Sequence, residues 1–312
     1  MNRRVFDAVV FANERICREH YRLTLCIPDF PPTLPGQFVQ VACADREPHY
    51  QPREMQWPSS ASACAQGGGP NEGGAFLRRP FSLAGRTDVD GKVGLEIIYR
   101  AVGRGTRWLQ RRRIGELVSI LGPLGNHFEL PKDNGHAVLI GGGVGIPPML
   151  YLAQQLAGRS AAAFVGATSG DLLPVSIERP ERFTGPVMPR LIVGEFSRHG
   201  IPAVVTTDDG SVGYAGRVTE SLSAYLDSLD SGLSVTLYTC GPELMMKAVA
   251  RIAADRGMEC QVAAERAMAC GMGTCQSCVI RCRATGRADG RDWVYRLTCT
   301  DGPVFRGQEL LW

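Results

Sequence analysis

Along the first 130 residues the apolar positions recur every second residue in short runs. Val5-Phe6-Asp7-Ala8-Val9-Val10 and Tyr21-Arg22-Leu23-Thr24-Leu25 are rich in β-formers, and Gln37-Phe38-Val39-Gln40-Val41 alternates after a Pro35-Gly36 turn. Such alternation predicts strands with one buried face. Strand character returns over 77–83, 93–100 and 116–120, the last ending in Leu121-Gly122-Pro123-Leu124-Gly125. A short helix is expected to start near Thr106, a good N-cap before helix-compatible Arg107 to Arg111. Short strands without a helical period predict a barrel or a sandwich.

After about residue 131 the pattern changes. Ala137-Val138-Leu139-Ile140 is a continuous apolar run, as a strand buried on both faces would be. It leads into Gly141-Gly142-Gly143-Val144-Gly145 and a helix opened by Pro147 and Pro148. Further strands are expected over 162–167, 203–207, 235–239 and 260–264, and helices over 219–229 and 242–256, the latter stopped by Gly257. Strands alternating with helices predict a doubly wound parallel sheet. Two segments break the pattern. Residues 45–75 carry Pro48, Pro52, Pro58, Pro70 and two glycine runs, and read as a surface insertion in which Cys64 is incidental. Residues 179–199 read as a second insertion. The expected organisation is a β domain over 1–130, an α/β domain over 131–263 and a small terminal domain over 264–312.

Composition narrows the function classes. With 34 basic and 31 acidic side chains the net charge is +3, too balanced for nucleic acid or an anionic membrane as the main partner. No apolar run approaches the ~18 residues of a membrane span, and the first residues lack the apolar core of a secretory signal. A cytoplasmic protein is expected.

Eleven cysteines are present, and five of them (Cys270, Cys275, Cys278, Cys282 and Cys299) lie at or beyond position 270. Crowding of this kind in a long chain points to a metal or iron–sulfur site rather than a disulfide scaffold. Cys270, Cys275 and Cys278 form C-x4-C-x2-C, the spacing of a plant-type [2Fe–2S] loop, with Cys299 available as a distant fourth thiolate. A loop that wraps a compact cluster must turn sharply, which Gly271 and Gly273 permit. Small Thr274 and Ser277 let backbone amides approach the inorganic sulfurs. Structural zinc usually shows two paired knuckles, and the second pair is missing here. Cys282 is the spare ligand.

The glycine run 141–145 follows a buried strand and precedes a helix, which aims backbone N–H groups at a phosphate. Alone it is a weak signal. It gains weight from Cys240-Gly241-Pro242, also between a strand and a helix, because two such turns at the carboxyl edge of one sheet flank the ligand crevice of open α/β folds. Thr207-Asp208-Asp209-Gly210 ends a third strand on the same edge. Asp171 favours NAD, as a ribose acceptor that repels a 2′-phosphate; Arg179 and Arg182 argue for NADP. In the first domain Arg79-Pro80-Phe81-Ser82 sets a cation, an aromatic and a hydroxyl on one strand. Alternation places Arg79 and Phe81 on one face and Ser82 on the other. Tyr99-Arg100 and Gly103-Arg104-Gly105-Thr106 add a second diphosphate cradle. Together they suggest a second dinucleotide.

Taken in order, these motifs, with Gly122-Pro123-Leu124-Gly125-Asn126, Glu265-Arg266 and Asp301-Gly302-Pro303-Val304-Phe305, resemble the electron-transfer subunit of class B, NAD-dependent dihydroorotate dehydrogenase, within the ferredoxin reductase superfamily. The resemblance covers nearly the whole chain except 45–75 and about 179–199. It implies a Greek-key barrel holding FAD, a nucleotide domain for NAD and a terminal [2Fe–2S] domain. It also implies a partner subunit, an FMN-containing α/β barrel that oxidises dihydroorotate to orotate. By the same resemblance Arg79, Pro80, Phe81, Ser82, Ile98, Tyr99, Arg100, Gly105 and Thr106 contact FAD. Gly142, Gly143, Gly145, Asp208, Cys240, Gly241 and Pro242 fall to NAD, and Cys270, Cys275, Cys278 and Cys299 to the cluster. Phe81 stands where many relatives of the superfamily carry a Tyr that stacks on flavin. The interval from Cys278 to Cys299 is longer than is usual in the family, which keeps Cys282 as the alternative fourth ligand. The competing readings are a related subunit linking NAD(P)H to ferredoxin or a sulfur compound, and a non-enzymatic metal-binding module.

Overall fold

The computed structural model describes residues 3–45, 75–89, 91–132, 134–284 and 291–312. The expected insertion, Cys64 included, lies outside the described residues apart from its two ends.

The first unit is an antiparallel sheet curled into a barrel. Its strands are β1 (Arg4–Cys17), β2 (His20–Pro28), β3 (Phe38–Val41), β4 (Arg79–Ser82), β5 (Gly85–Val89), β6 (Lys92–Arg100) and β7 (Leu117–Leu124), in the order β4-β3-β7-β1-β2-β6-β5. The two-residue period explains the curl. Leu23, Leu25, Val39, Val41, Leu95, Ile97 and Ile120 all point inward and are fully buried in one cluster. Edge strand β4 returns to β6, where Phe81 meets Tyr99 edge-on at 5.9 Å between ring centroids.

Helix α1 (Arg104–Gln110) follows β6 and starts earlier than expected. Gly103 already has the extended N-cap conformation, with φ −124° and ψ 175°. Thr106 is thus the third helical residue, and its hydroxyl accepts from the Gly103 N–H at 3.0 Å and the Val102 N–H at 3.1 Å. A side chain reaching back from that position satisfies orphan N–H groups as well as an N-cap would.

The second unit contains β8 (His136–Gly142), α2 (Ile146–Gln155), β9 (Ala161–Ala167), β10 (Arg182–Phe183), α3 (Gly194–Ser197), β11 (Ala203–Thr207), β12 (Gly213–Ala215), α4 (Val218–Asp227), β13 (Val235–Cys240), α5 (Glu243–Asp255) and β14 (Glu259–Ala263). The terminal segment adds β15 (Val279–Arg283), β16 (Trp293–Leu297) and β17 (Val304–Arg306). The large sheet runs β10-β12-β11-β9-β8-β13-β14-β17, with β8 to β14 parallel and β17 antiparallel. The chain moves outward from β8 through β9 and β11, then returns to the other side of β8 as β13. That reversal is a topological switch point, where open α/β sheets bind ligands.

Two structural facts differ from a simple three-block picture. Phe305 pairs with Val262, so the segment after 264 is stitched into the nucleotide sheet. The insertion at 179–199 is packed rather than loose: Val193 and Phe196 are fully buried, and Glu195 holds Arg22 of the barrel at 2.9 Å. Among the described residues no helix is long and apolar enough to cross a membrane.

Candidate functional site

A cleft of about 1270 Å³ opens between the barrel and the nucleotide sheet. One wall is built from β4, β6 and α1: Arg79, Pro80, Phe81, Ser82, Ile98, Tyr99, Arg100 and Thr106 all line it. Alternation sets Arg79 and Phe81 opposite Ser82, yet all reach the cleft, because β4 is the outer strand of its sheet and presents its free edge along with both faces. Gly105 is different. It is buried behind the wall, where a Cβ would stand 3.2 Å from Ala75, Arg79 and Cys43, so it allows close packing and does not line the cleft.

The opposite wall is the switch point. Cys240 pairs with Gly141, which brings the turns after β8 and β13 side by side. Gly142, Gly143, Gly145, Asp208, Cys240, Gly241 and Pro242 line this side. The turns touch so closely that a Cβ on Gly145 would strike the Cys240 carbonyl, and one on Gly142 would stand 2.7 Å from the Met245 sulfur. Burial pushes the Cys240 thiol up to about 12, so it is protonated at neutral pH and presents a soft, uncharged surface.

Asp171 is not on the wall. It pairs with Arg18 at 3.2 Å and accepts from the Ser169 hydroxyl. Arg179 and Arg182 also lie away from the cleft, Arg182 donating to the Ser211 carbonyl at 3.0 Å. None of the three lines the cleft. Sequence reasoning missed several lining residues: His20, Phe38, Gly166, Arg217, Met268 and Pro303. His20 is buried, its Nδ1 lies 2.8 Å from the Arg18 carbonyl, and among the described residues its Nε2 has no hydrogen-bond partner. Its only sequence signal was a polar residue at the head of β2, and the β2–β6 register, His20 opposite Arg100, is what brings it to the cleft.

The cysteine loop sits on the outer face of β3 and β7. Cys278 and Cys299 are buried in a small cluster with Phe38, Leu121 and Leu124. The Met272 and Cys275 N–H groups both donate to Cys270 Sγ at 3.4 Å, as a thiolate-holding loop requires. Gly271 and Gly273 take φ of +70° and +89°. The Ser277 hydroxyl, 3.2 Å from the Cys275 sulfur, is the main cause that lowers this exposed thiol to about 6. Burial, followed by the neighbouring Cys278, pushes Cys299 up to about 12. Cys282 faces elsewhere, fully buried among Ile280, Phe305 and Leu310 in the core beneath the nucleotide sheet. Among the described residues no three thiol, imidazole or carboxylate groups are close enough to hold a single metal ion. A two-iron cluster shares four thiolates between two irons, and the Cys270–Cys275 loop with the buried Cys278 and Cys299 offers four thiols.

The iron–sulfur cluster binding domain of dihydroorotate dehydrogenase B matches residues 265–311. The dihydroorotate dehydrogenase B (NAD(+)) electron transfer subunit of Caldanaerobacter subterraneus subsp. tengcongensis is 31% identical over 304 residues, which is 97% of this chain and 97% of that one. Its counterpart from Geobacillus thermodenitrificans is 37% identical over 239 residues, 76% of this chain and 80% of its own. Among solved structures, an NADH-dependent reduced ferredoxin-NADP oxidoreductase shares the fold with a TM-score of 0.71 at 24% identity, covering 98% of this chain and 90% of its own. The flavohem-like FAD/NAD binding domain of nitric oxide dioxygenase from Vibrio cholerae has a TM-score of 0.57 at 16% identity, covering 82% and 98%.

Proposed function

The chain belongs to the family of electron-transfer subunits of NAD-dependent dihydroorotate dehydrogenase B, and from that premise we infer that it takes electrons from an FMN-containing catalytic subunit that oxidises dihydroorotate and delivers them to NAD. When bound, the [2Fe–2S] cluster supplies one-electron transfer and FAD the junction between single electrons and a hydride. No residue of this chain need act as a general base toward dihydroorotate, because that substrate is the partner's.

The observation that carries this reading is the single cleft with a barrel edge on one side, the β8/β13 switch point on the other and the cysteine loop behind β3. The residues fit the groups. Arg79 to Ser82, Ile98 to Arg100 and Thr106 would hold FAD, with Phe81 and Tyr99 as its apolar support. The N–H groups at 143–145 and the start of α2 would cradle the NAD diphosphate, and Asp208 would accept from ribose. Bare Gly142 and Gly241 would let the nicotinamide approach, while Cys240 keeps that surface uncharged. Cys270, Cys275, Cys278 and Cys299 would ligate the cluster. We assign 1–130 to FAD, 131–263 to NAD and 264–312 to the cluster, with the last segment sharing the nucleotide sheet. Thiolate ligands call for a reducing compartment, so we place the protein in the cytoplasm.

Reconstitution tests the reading. The purified chain, mixed with the candidate FMN subunit, dihydroorotate and NAD, should form NADH and should contain FAD and about two irons per chain. NADH oxidation by artificial acceptors without any dihydroorotate-dependent NADH formation would overturn the assigned donor. A colourless protein holding stoichiometric zinc would overturn the redox assignment itself.

A further inference from the structure

Strand β3 separates two environments. Val39 and Val41 face the barrel core. The two-residue period sends Phe38 and Gln40 to the other face, where Phe38 packs with Leu121, Leu124, Cys278 and Cys299. Gln40 is 0% exposed there. Its amide lies against Gly271, the residue after Cys270: a Cβ on Gly271 would stand 2.7 Å from Gln40 Cδ and 2.8 Å from Nε2. Among the described residues neither Nε2 nor Oε1 has a hydrogen-bond partner.

A primary amide has two N–H donors and an acceptor oxygen. Sealed from water without partners it is costly, and buried polar groups in folded proteins are nearly always paired. Phe38 and Leu121 flank it on this face, and the nearby Arg78 guanidinium donates to the Gln40 backbone carbonyl and to Ser119 rather than to the Gln40 amide, so the protein gains nothing from an amide there unless the cysteine loop brings a partner. Gln40 does not line the cleft, which directs it away from the flavin. A two-iron cluster with four thiolates is anionic, and its sulfurs accept N–H bonds. We propose that the Gln40 side chain donates an Nε2 hydrogen bond to a sulfur of the bound cluster. Reduction adds one negative charge to the cluster, so a fixed N–H dipole stabilises the reduced form more than the oxidised form. Gln40 therefore raises the cluster's potential. This rests on the reading of Cys270, Cys275, Cys278 and Cys299 as ligands.

The test uses the full chain carrying FAD and cluster, with redox titration followed by electron paramagnetic resonance. Gln40→Leu should keep its iron and FAD and shift the cluster midpoint downward, by about threefold or more in the one-electron equilibrium, on the scale of one hydrogen bond. Gln40→Met, which keeps the length and removes both the donor and the acceptor, should shift it in the same direction. The flavin midpoint should stay in place in both. An unchanged cluster midpoint and spectrum in iron-replete Gln40→Leu, or a shift confined to the flavin, would overturn the proposal. A measurement on unaltered Gln40 guards against misfolding of the variants. Gln276 lies in the loop between Cys275 and Cys278 and carries the other amide close to the cluster, so with the glutamine side-chain amides labelled with ¹⁵N in a Gln276→Ala background, pulsed resonance of the reduced cluster should detect a ¹⁵N coupling, and its absence overturns the proposal equally. A chain with Gln40 intact that binds no iron would instead count against the ligand set.

Discussion

The Tyr151 hydroxyl donates to the Thr33 carbonyl at 2.8 Å and stands 2.7 Å from the Thr33 hydroxyl. Tyr151 belongs to α2 of the nucleotide unit, yet its ring is buried in the barrel core. The contact ties the two walls of the cleft together, because α2 starts at the glycine turn while Thr33 lies on the approach to β3. Gln154, one helical turn later, adds a second tie by donating to the Arg86 carbonyl at 2.7 Å.

Tyr151→Phe keeps the ring's volume and leaves the Thr33 carbonyl and hydroxyl buried without their partner. We expect a loss of about 1–3 kcal/mol, the usual cost of a stranded buried polar group. Thermal unfolding of the FAD-loaded protein should register it as a lower midpoint. Because the tie sets the spacing of the walls, the KM for NADH with an artificial acceptor should rise while FAD content stays near one per chain. An unchanged midpoint would show that apolar packing and the Gln154 tie hold the helix without the Tyr151 hydroxyl.

Gly145→Ala acts on one wall only. The new methyl would meet the Cys240 carbonyl and the Gly241 nitrogen, forcing apart the turns after β8 and β13. Backbone cannot give way as a side-chain tip can, and overpacking of this kind costs about 1–3 kcal/mol. We expect NADH affinity to fall by about tenfold or more, equivalent to at least about 1.4 kcal/mol, with flavin and iron retained. Isothermal titration with NADH, read beside the visible spectrum, separates the two effects.

Much of this architecture was legible in the sequence, for a physical reason. Strands β2, β3 and β6 bury one face in the barrel, so their alternation is strong. Strands β8 and β13 bury both faces, so their runs are continuously apolar. Helices α4 and α5 carry one apolar stripe and fall within a residue or two of expectation. Other features had no local signature. Strand β5 is an exposed edge, and its Gly85–Val89 shows no apolar face. Strand β17 takes its meaning from β14, some forty residues earlier. Gln40 is a polar position of an alternating run and His20 lies just before the run at 21–25; both are buried by other parts of the chain, which only the fold reveals. The ordered motifs located the cleft, whereas the individual roles of Gly105 and Asp171 depended on neighbours distant in sequence.

The ligand set can be separated by a pair of serine substitutions. Cys299 shares a cluster with Cys278 beside β7, whereas Cys282 points into the core formed by Ile280, Phe305 and Leu310. Cys299→Ser should reduce iron to well below two per chain and abolish the cluster's resonance signal, with FAD retained. Cys282→Ser should retain full iron and lose only stability, by about 1–3 kcal/mol, for a hydroxyl buried without a partner. Loss of iron in Cys282→Ser with full iron in Cys299→Ser would reverse the assignment.

Two buried histidines, His20 and His136, and the half-buried His199 set an acid limit. His136 is held between the Ser160 hydroxyl, 2.8 Å from Nδ1, and the Tyr225 hydroxyl, 2.8 Å from Nε2. Burial lowers its pKa below the ordinary 6.5, and burial does the same to His20 and, with help from Arg198, to His199. Each is therefore neutral in the folded protein at a pH where the unfolded chain already binds a proton. Stability rises with pH wherever the unfolded state holds more protons. The contribution is fully present above pH 6.5 and is lost as pH falls from 6.5 through the lower folded values. Urea unfolding followed by flavin fluorescence should give midpoints that are level between pH 7 and 8 and decline steadily from pH 6.5 to 5.5. His136→Gln, which keeps a donor and an acceptor but does not titrate, should flatten part of that decline even though it unfolds more easily at pH 7.5. A decline of equal steepness in the variant would assign the acid sensitivity to other groups.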